Sequence, residues 1–181
     1  WAMDADMYVM INDHWDGGWW GMIGSADQAV RDQAWAMYKS MWTQIGEHFA
    51  DRSYKLIFEA GNEELGDRLN DKNITGSKGV LTEDECYETT NEINSEFVKT
   101  IRSLGGNNPE RFLLIAGYNT DITKTCDDRC KMPEDTADSE LLLSVHYYTP
   151  WDYCGTDGVN QWGSPSDYDE MNGLFSKLSK V

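Results

Sequence analysis

The feature that most constrains the fold is a direction repeated four times along the chain. Four short β-rich runs, at residues 7–12, 54–60, 112–118 and 141–148, begin apolar and end among residues suited to chemistry. Those endings are Asn12 with His14, Asn62 with Glu63, Tyr118 with Asn119, and His146 with Tyr148. Near-continuous apolar runs mark strands covered on both faces, as in parallel sheets. Helical patterns fall between them, so the order reads as β-then-α units. In barrels and open parallel sheets alike, sites form at the C-terminal ends of strands. Four such endings point to one shared site.

The helical segments are legible from spacing. Ala34, Met37, Tyr38, Met41, Trp42, Ile45 and Phe49 recur every three or four residues, a stripe for packing on a sheet. Trp42 belongs to that stripe and is assigned no function. Ser25 with Gln28 resembles a capping box at its start. Residues 65–81 are polar, Gly-, Asn- and Asp-rich, and long for a βα connection. Thr82 with Glu85 is a clear capping box. The helix that follows carries Cys86, Thr90, Ile93, Phe97, Ile101 and Leu104 on one face. Gly105-Gly106 stops it and Pro109 prevents its resumption. An irregular stretch or short helix joins the last two strands. Met171, Leu174, Phe175 and Leu178 predict a final helix over 169–178. The chain has 181 residues, enough for one domain with a core but fewer than the roughly 250 of a complete (β/α)8 barrel.

The net charge is −17, which repels nucleic acid and anionic membranes and leaves neutral polysaccharide unopposed. No apolar run is long enough to span a bilayer. Trp15, Trp19, Trp20, Trp151 and Trp162 sit in polar, Gly-rich stretches. Such residues read as flat platforms on which sugar rings stack. Four cysteines, Cys86, Cys126, Cys130 and Cys154, fit two disulfides in an exported protein, with three pairings open. Cys126-x3-Cys130 is not a good zinc spacing, and His14, His146, Asp13 and Glu63 show no local ligand spacing either. There is no Gly-x-Gly-x-x-Gly run, no phosphate loop and no nucleophile-elbow serine. The expectation is therefore no cofactor and no metal. Asn73-Ile74-Thr75 is a glycosylation sequon.

Cleaving a glycosidic bond takes two carboxyl groups, one protonating the leaving oxygen and one attacking the anomeric carbon or activating water. The proton donor needs a raised pKa, from burial or a neighbouring carboxylate. Glu59, Glu63 and Glu64 compete for that role at the end of the second strand. Glu59 lies deeper and reads as a buried, paired structural group. Strict alternation puts Glu63 on the same face as Glu59. The pattern favours Glu63, with Glu64 next. Asn62 beside it can donate to a sugar hydroxyl. His14 and His146, at the ends of different strands, are candidates for the same mouth.

At this point the residues reach a resemblance. The run Tyr8-Val9-Met10-Ile11-Asn12-Asp13-His14-Trp15-Asp16-Gly17-Gly18-Trp19 resembles the third strand and following loop of glycoside hydrolase family 5 endoglucanases. Trp42-Thr43-Gln44-Ile45, leading to Leu56-Ile57-Phe58-Glu59-Ala60-Gly61-Asn62-Glu63-Glu64-Leu65, is similar to that family's third helix and fourth strand. Ile101-Arg102-Ser103-Leu104-Gly105-Gly106-Asn107-Asn108 with Arg111 resembles its fourth helix and exit. Ser144-Val145-His146-Tyr147-Tyr148-Thr149-Pro150-Trp151 resembles its sixth strand. The matches are collinear, and the cellulase and xyloglucanase branch is the nearest likeness.

The resemblance implies a (β/α)8 TIM barrel of which residues 1–181 cover about strands three to six. That is part of a single catalytic barrel, without the N-terminal and C-terminal strands. It implies a retaining endo-β-1,4-glucanase acting on cellulose-like or xyloglucan chains, with Glu63 as acid/base. Asn62, His14, His146, Tyr148, Trp15, Trp19 and Trp151 would bind substrate, and Trp162 would be a further wall residue. The family's nucleophile, a second Glu at the end of strand seven, is absent from the chain, so the expectation is an inactive fragment, completed by another segment or chain. The partner is a β-1,4-glucan polysaccharide or oligosaccharide. The location expected is extracellular, cell-surface or periplasmic. Asp13 departs from the family, which usually has an apolar or small residue before the His. The alternatives are a non-catalytic carbohydrate-binding fragment and a related mannanase or xylanase.

Overall fold

A computed structural model describes residues 1–155 and 158–181. Four strands form one sheet in the order β1 (Val9–Asn12), β2 (Leu56–Glu59), β3 (Leu113–Asp121), β4 (Leu141–His146). Every neighbouring pair is parallel. The long helices α1 (Gln28–His48) and α2 (Glu83–Arg102) make the crossovers β1 to β2 and β2 to β3. Short helices α3 (Ile122–Thr125) and α4 (Trp151–Cys154) follow β3 and β4, and α5 (Pro165–Leu178) closes the chain. The architecture is thus a four-stranded parallel α/β sheet, half the strand count of a TIM barrel, as the sequence predicted.

Alternation along the strands sorts their side chains between two faces. Leu56, Phe58, Leu113 and Ile115 point to the helices and are buried there with Trp42, Ile93, Phe97 and Ile101. Trp42 is fully buried, 4.7 Å from the Phe97 ring centroid and 5.8 Å from that of Phe58. The opposite face carries Met10, Asn12, Ile57, Glu59, Leu142 and Ser144. Met10 is 52% and Leu142 40% exposed there.

The helix ends are set by local chemistry. Thr82 and Glu85 form the reciprocal capping box that the sequence predicts for α2. The start of α1 is corrected. Its cap is Asp27, whose carboxylate accepts from Ala29 N, while Ser25 Oγ, two residues earlier, accepts from Asp27 N. The final helix starts at Pro165, ahead of the predicted 169, because Ser164 and Asp167 make a second capping box. At the other end of the sheet, buried Arg111 donates to the carbonyls of Phe49, Arg52, Ser53 and Leu56. It ties the α1–β2 connection to the entry of β3.

Two expectations about side chains change. Trp19 and Trp20 are 5% and 1% exposed, so neither is a platform. Gly17 and Gly18, at φ 72° and 80°, turn the chain back through a 3-10 segment over Asp16–Met22. That turn stacks the two indoles at 4.4 Å and lays them against Tyr38 of α1. All four cysteines are free thiols. Cys86 is buried beside Tyr87 and Tyr118, and burial pushes its thiol up to about 11.

Candidate active site

The site is built on the ends of β1, β2 and β4. β2 ends at Glu59, and the chain continues through Gly61 and Asn62 to Glu63. Three glutamates in six residues acquire three different environments. Glu59 is 2% exposed; its two oxygens accept from Asn12 Nδ2 at 2.7 Å and Ser144 Oγ at 2.8 Å. It bridges β1, β2 and β4, the structural role expected of it. Glu64 is 1% exposed and accepts from two backbone N–H groups, Trp15 at 2.8 Å and Asn62 at 3.0 Å. It clamps the exit of β1 to the exit of β2, which leaves it no free oxygen edge for substrate.

Glu63 is the one of the three that opens to the cleft. His146 Nδ1, at the end of β4, lies 2.8 Å from its Oε1, and Tyr148 donates its hydroxyl to the same oxygen at 3.0 Å. The His146 and Tyr148 rings meet edge-on, and Tyr148 in turn meets Trp151. Glu63, Arg68, Asn119, Lys124, Tyr148 and Trp151 line a cavity of about 500 Å³. Burial alone would raise the Glu63 pKa. Hydrogen bonds from His146 and Tyr148, with the positive charges of His146 and Arg68, outweigh it and hold the carboxyl below its ordinary value. A glycosidase proton donor ordinarily needs a raised value. Here no second carboxylate faces Glu63 among the described residues at hydrogen-bond range, and donors surround it instead.

The other predicted residues divide. Asn62 is buried at the β2 exit, its N–H bound to Glu64. Trp15 and Trp151 are 49% and 69% exposed, as platforms require. His14 is exposed beside Trp15, with no side-chain hydrogen bond among the described residues. Trp162 is half-buried against Tyr168 of α5. Trp19 is withdrawn into the core and donates its indole N–H to Asp13 at 3.0 Å. Asp13 itself is 8% exposed. Burial pushes its carboxyl up to about 6, with Asp16 and Glu64 adding to the rise and the Trp19 bond opposing it. No group of three or more His, Cys, Asp or Glu among the described residues is placed to hold a metal ion.

Residues missed by pattern reading lie in the polar stretch after Glu63. β3 runs on to Asp121, past the predicted end at Tyr118, and Tyr118 and Asn119 are committed to Asp67, whose carboxylate accepts from Tyr118 Oη at 2.7 Å, Asn119 Nδ2 at 2.9 Å and Lys124 Nζ at 2.7 Å. The sequence signal was there in Gly66-Asp67, a glycine before an Asp inside a long loop, but its partners lie more than fifty positions away.

With this geometry in hand, likeness to known proteins has a structural meaning. The cellulase profile of glycosyl hydrolase family 5 matches residues 1–180. The xyloglucan-specific endo-β-1,4-glucanase of Bacteroides ovatus is 34% identical over 167 residues, covering 90% of this chain and 31% of that protein. A family 5 lichenase from Caldicellulosiruptor sp. F32, solved in mutant form with cellotetraose, superposes with a TM-score of 0.78 at 28% identity. A broad-specificity family 5 endoglucanase from Bacteroides salanitronis gives 0.77 at 32%. Each superposition covers 98% of this chain and 49% of the solved one, so the chain spans about half of either. Profile, sequence and backbone agree over nine-tenths of the chain or more, and the chain belongs to glycosyl hydrolase family 5.

Proposed function

We propose that residues 1–181 are the acid/base half of a retaining endo-β-1,4-glucanase barrel, with Glu63 as the acid/base. The observation that carries this reading is the contrast among the three glutamates: two are consumed by the scaffold, and only Glu63 faces an open cleft flanked by His146, Tyr148 and Trp151. In a retaining double displacement this carboxyl protonates the leaving oxygen, then takes a proton from the water that releases the sugar. Tyr148 and His146 fix its orientation through one oxygen, Oε1. Oε2 accepts from neither of them and is the oxygen available for proton exchange. Trp15 and Trp151 supply apolar faces for glucosyl rings.

The substrate class is a β-1,4-glucan, plain or xyloglucan-like. Support comes from the named activities of the relatives, on xyloglucan in one and with cellotetraose bound in another. The nucleophile is a carboxylate outside residues 1–181, about 5 Å from Glu63 in the complete barrel. Residues 1–181 alone therefore leave the substrate intact, and the complete protein works outside the cell, where the polymer is. The test is hydrolysis of xyloglucan and cello-oligosaccharides. Residues 1–181 alone should give none. A polypeptide supplying the family's remaining strands to the same residues should hydrolyse them, and Glu63→Gln in it should lower kcat by about 10²–10⁴. Full activity in the Glu63→Gln form sinks the assignment.

A further inference from the structure

The loop that follows Glu63 brings a cation back toward it. Arg68 stands on the 3-10 turn Asp67–Asn70, and its Nη2 lies 4.0 Å from Glu63 Oε2, the oxygen that His146 and Tyr148 leave free. The turn is not a loose one. Gly66 has φ 130°, a conformation open to glycine, and a Cβ there would collide with Tyr118 and Asn119. Asp67 N donates to Asn119 Oδ1 at 2.9 Å, and the Asp67 carboxylate collects Tyr118, Asn119 and Lys124. The turn is thereby pinned to the end of β3, and Arg68 is presented to the cleft.

The other titratable groups lining the cleft come from β3, β4 and their exits. From β3 and its exit come Asp121, exposed at the rim, and Lys124, paired with Asp67 at 2.7 Å. From β4 and beyond come His146, Tyr148 and the Cys154 thiol. Arg68 has no hydrogen-bonded carboxylate among the described residues, and Glu63 is its salt-bridge contact.

We propose that Arg68 is a positioning residue for the acid/base: pinned by Asp67, its guanidinium holds the Glu63 carboxylate charged, with Oε2 directed into the cleft. This rests on Glu63 being the acid/base, as argued above. An unliganded carboxylate held charged is the form that accepts a proton from water in the second half of a double displacement. The lowered Glu63 pKa is in the direction this contact requires. Arg68 is 44% exposed at its side chain, so bulk salt screens the interaction.

The experiment is a carboxyl-carbon NMR titration of Glu63 in residues 1–181, with Glu63→Gln used to assign the resonance. Arg68→Met should raise the Glu63 midpoint by about half a pH unit, the size of a unit-charge contact at this distance in a solvent-rich site. Arg68→Lys should restore most of the difference, and about 1 M salt should shrink it. An unchanged midpoint in Arg68→Met, or a rise that salt does not touch, overturns the proposal. Gly66→Ala, which changes no charge, provides a second measure: its Cβ would collide with Tyr118 and Asn119 and displace the turn, so it should shift the midpoint in the same direction, and no shift there overturns the pinning. The titration reads Arg68 independently of hydrolysis. If Glu63 were not the acid/base, Glu63→Gln would stay active in the completed barrel while the midpoint shift persisted.

Discussion

The two faces of the sheet are made from the same strands and do opposite things. Toward the helices, Leu56, Phe58, Leu113 and Ile115 close against Trp42, Ile93, Phe97 and Ile101 with no exposed member. On the other face a polar bridge runs Asn12–Glu59–Ser144 across strands whose flanking Met10 and Leu142 are half open. Hydrocarbon burial is non-directional and scales with area, so the helix face supplies stability. The other face is held by hydrogen bonds, which are directional, and it leads straight to Glu63, His146 and Tyr148. Holding the fold and holding the site are thus separated by the two-residue period of a strand.

That separation can be broken in graded steps. Trp42→Ala cuts into the closed face and should cost about 3–5 kcal/mol, read as a lower urea midpoint with an unchanged slope. Glu59→Ala on the other face leaves the Asn12 amide and the Ser144 hydroxyl without their partner, and a loss of about 2–3 kcal/mol is expected. A cost equal to that of Trp42→Ala would make the open face an equal source of stability.

Asp13 tests the boundary between the faces, because it places a carboxyl against Trp19 at the edge of the closed one. Its folded pKa, about 6, lies above the ordinary aspartate value of about 3.9, so the folded state binds the extra proton between those limits. Its stabilising contribution is fully present below about pH 4 and is lost as pH rises through about 6. Asp13→Asn should therefore remove a decline on the order of 2 kcal/mol over that window, seen in urea midpoints taken at several pH values. Midpoints that run parallel in the two proteins would show that Asp13 is ionised at no cost. Smallest of the set, Leu142→Ala should cost less than about 1 kcal/mol, since the side chain is already 40% exposed. A larger loss would mean that this face is covered in solution.

How much of this could be read from the chain depends on the range of the interaction. The strands, the α2 capping box and the Trp42 stripe were legible because each is encoded within a few residues. The α1 cap was misplaced by two positions because Ser25 and Asp27 both satisfy a local rule, and geometry chose the aspartate. Trp19 and Trp20 looked like loop platforms because their neighbours are polar and glycine-rich. The same glycines give the chain the freedom to fold both indoles back on Tyr38.

The sequence by itself determined a parallel sheet with its chemistry at the strand ends, and it singled out Glu59, Glu63 and Glu64. It also read Glu59 as structural and ranked Glu63 ahead of Glu64; what only the tertiary structure decided is which groups each carboxylate meets. Glu59 meets Ser144 across 85 positions, Glu63 meets His146 across 83, and Glu64 meets Trp15 across 49. Strand alternation is a local rule that places Glu59 and Glu63 on one face alike. What separates a scaffold carboxylate from a cleft-facing one is the set of donors that reaches it, and those donors arrive from other strands.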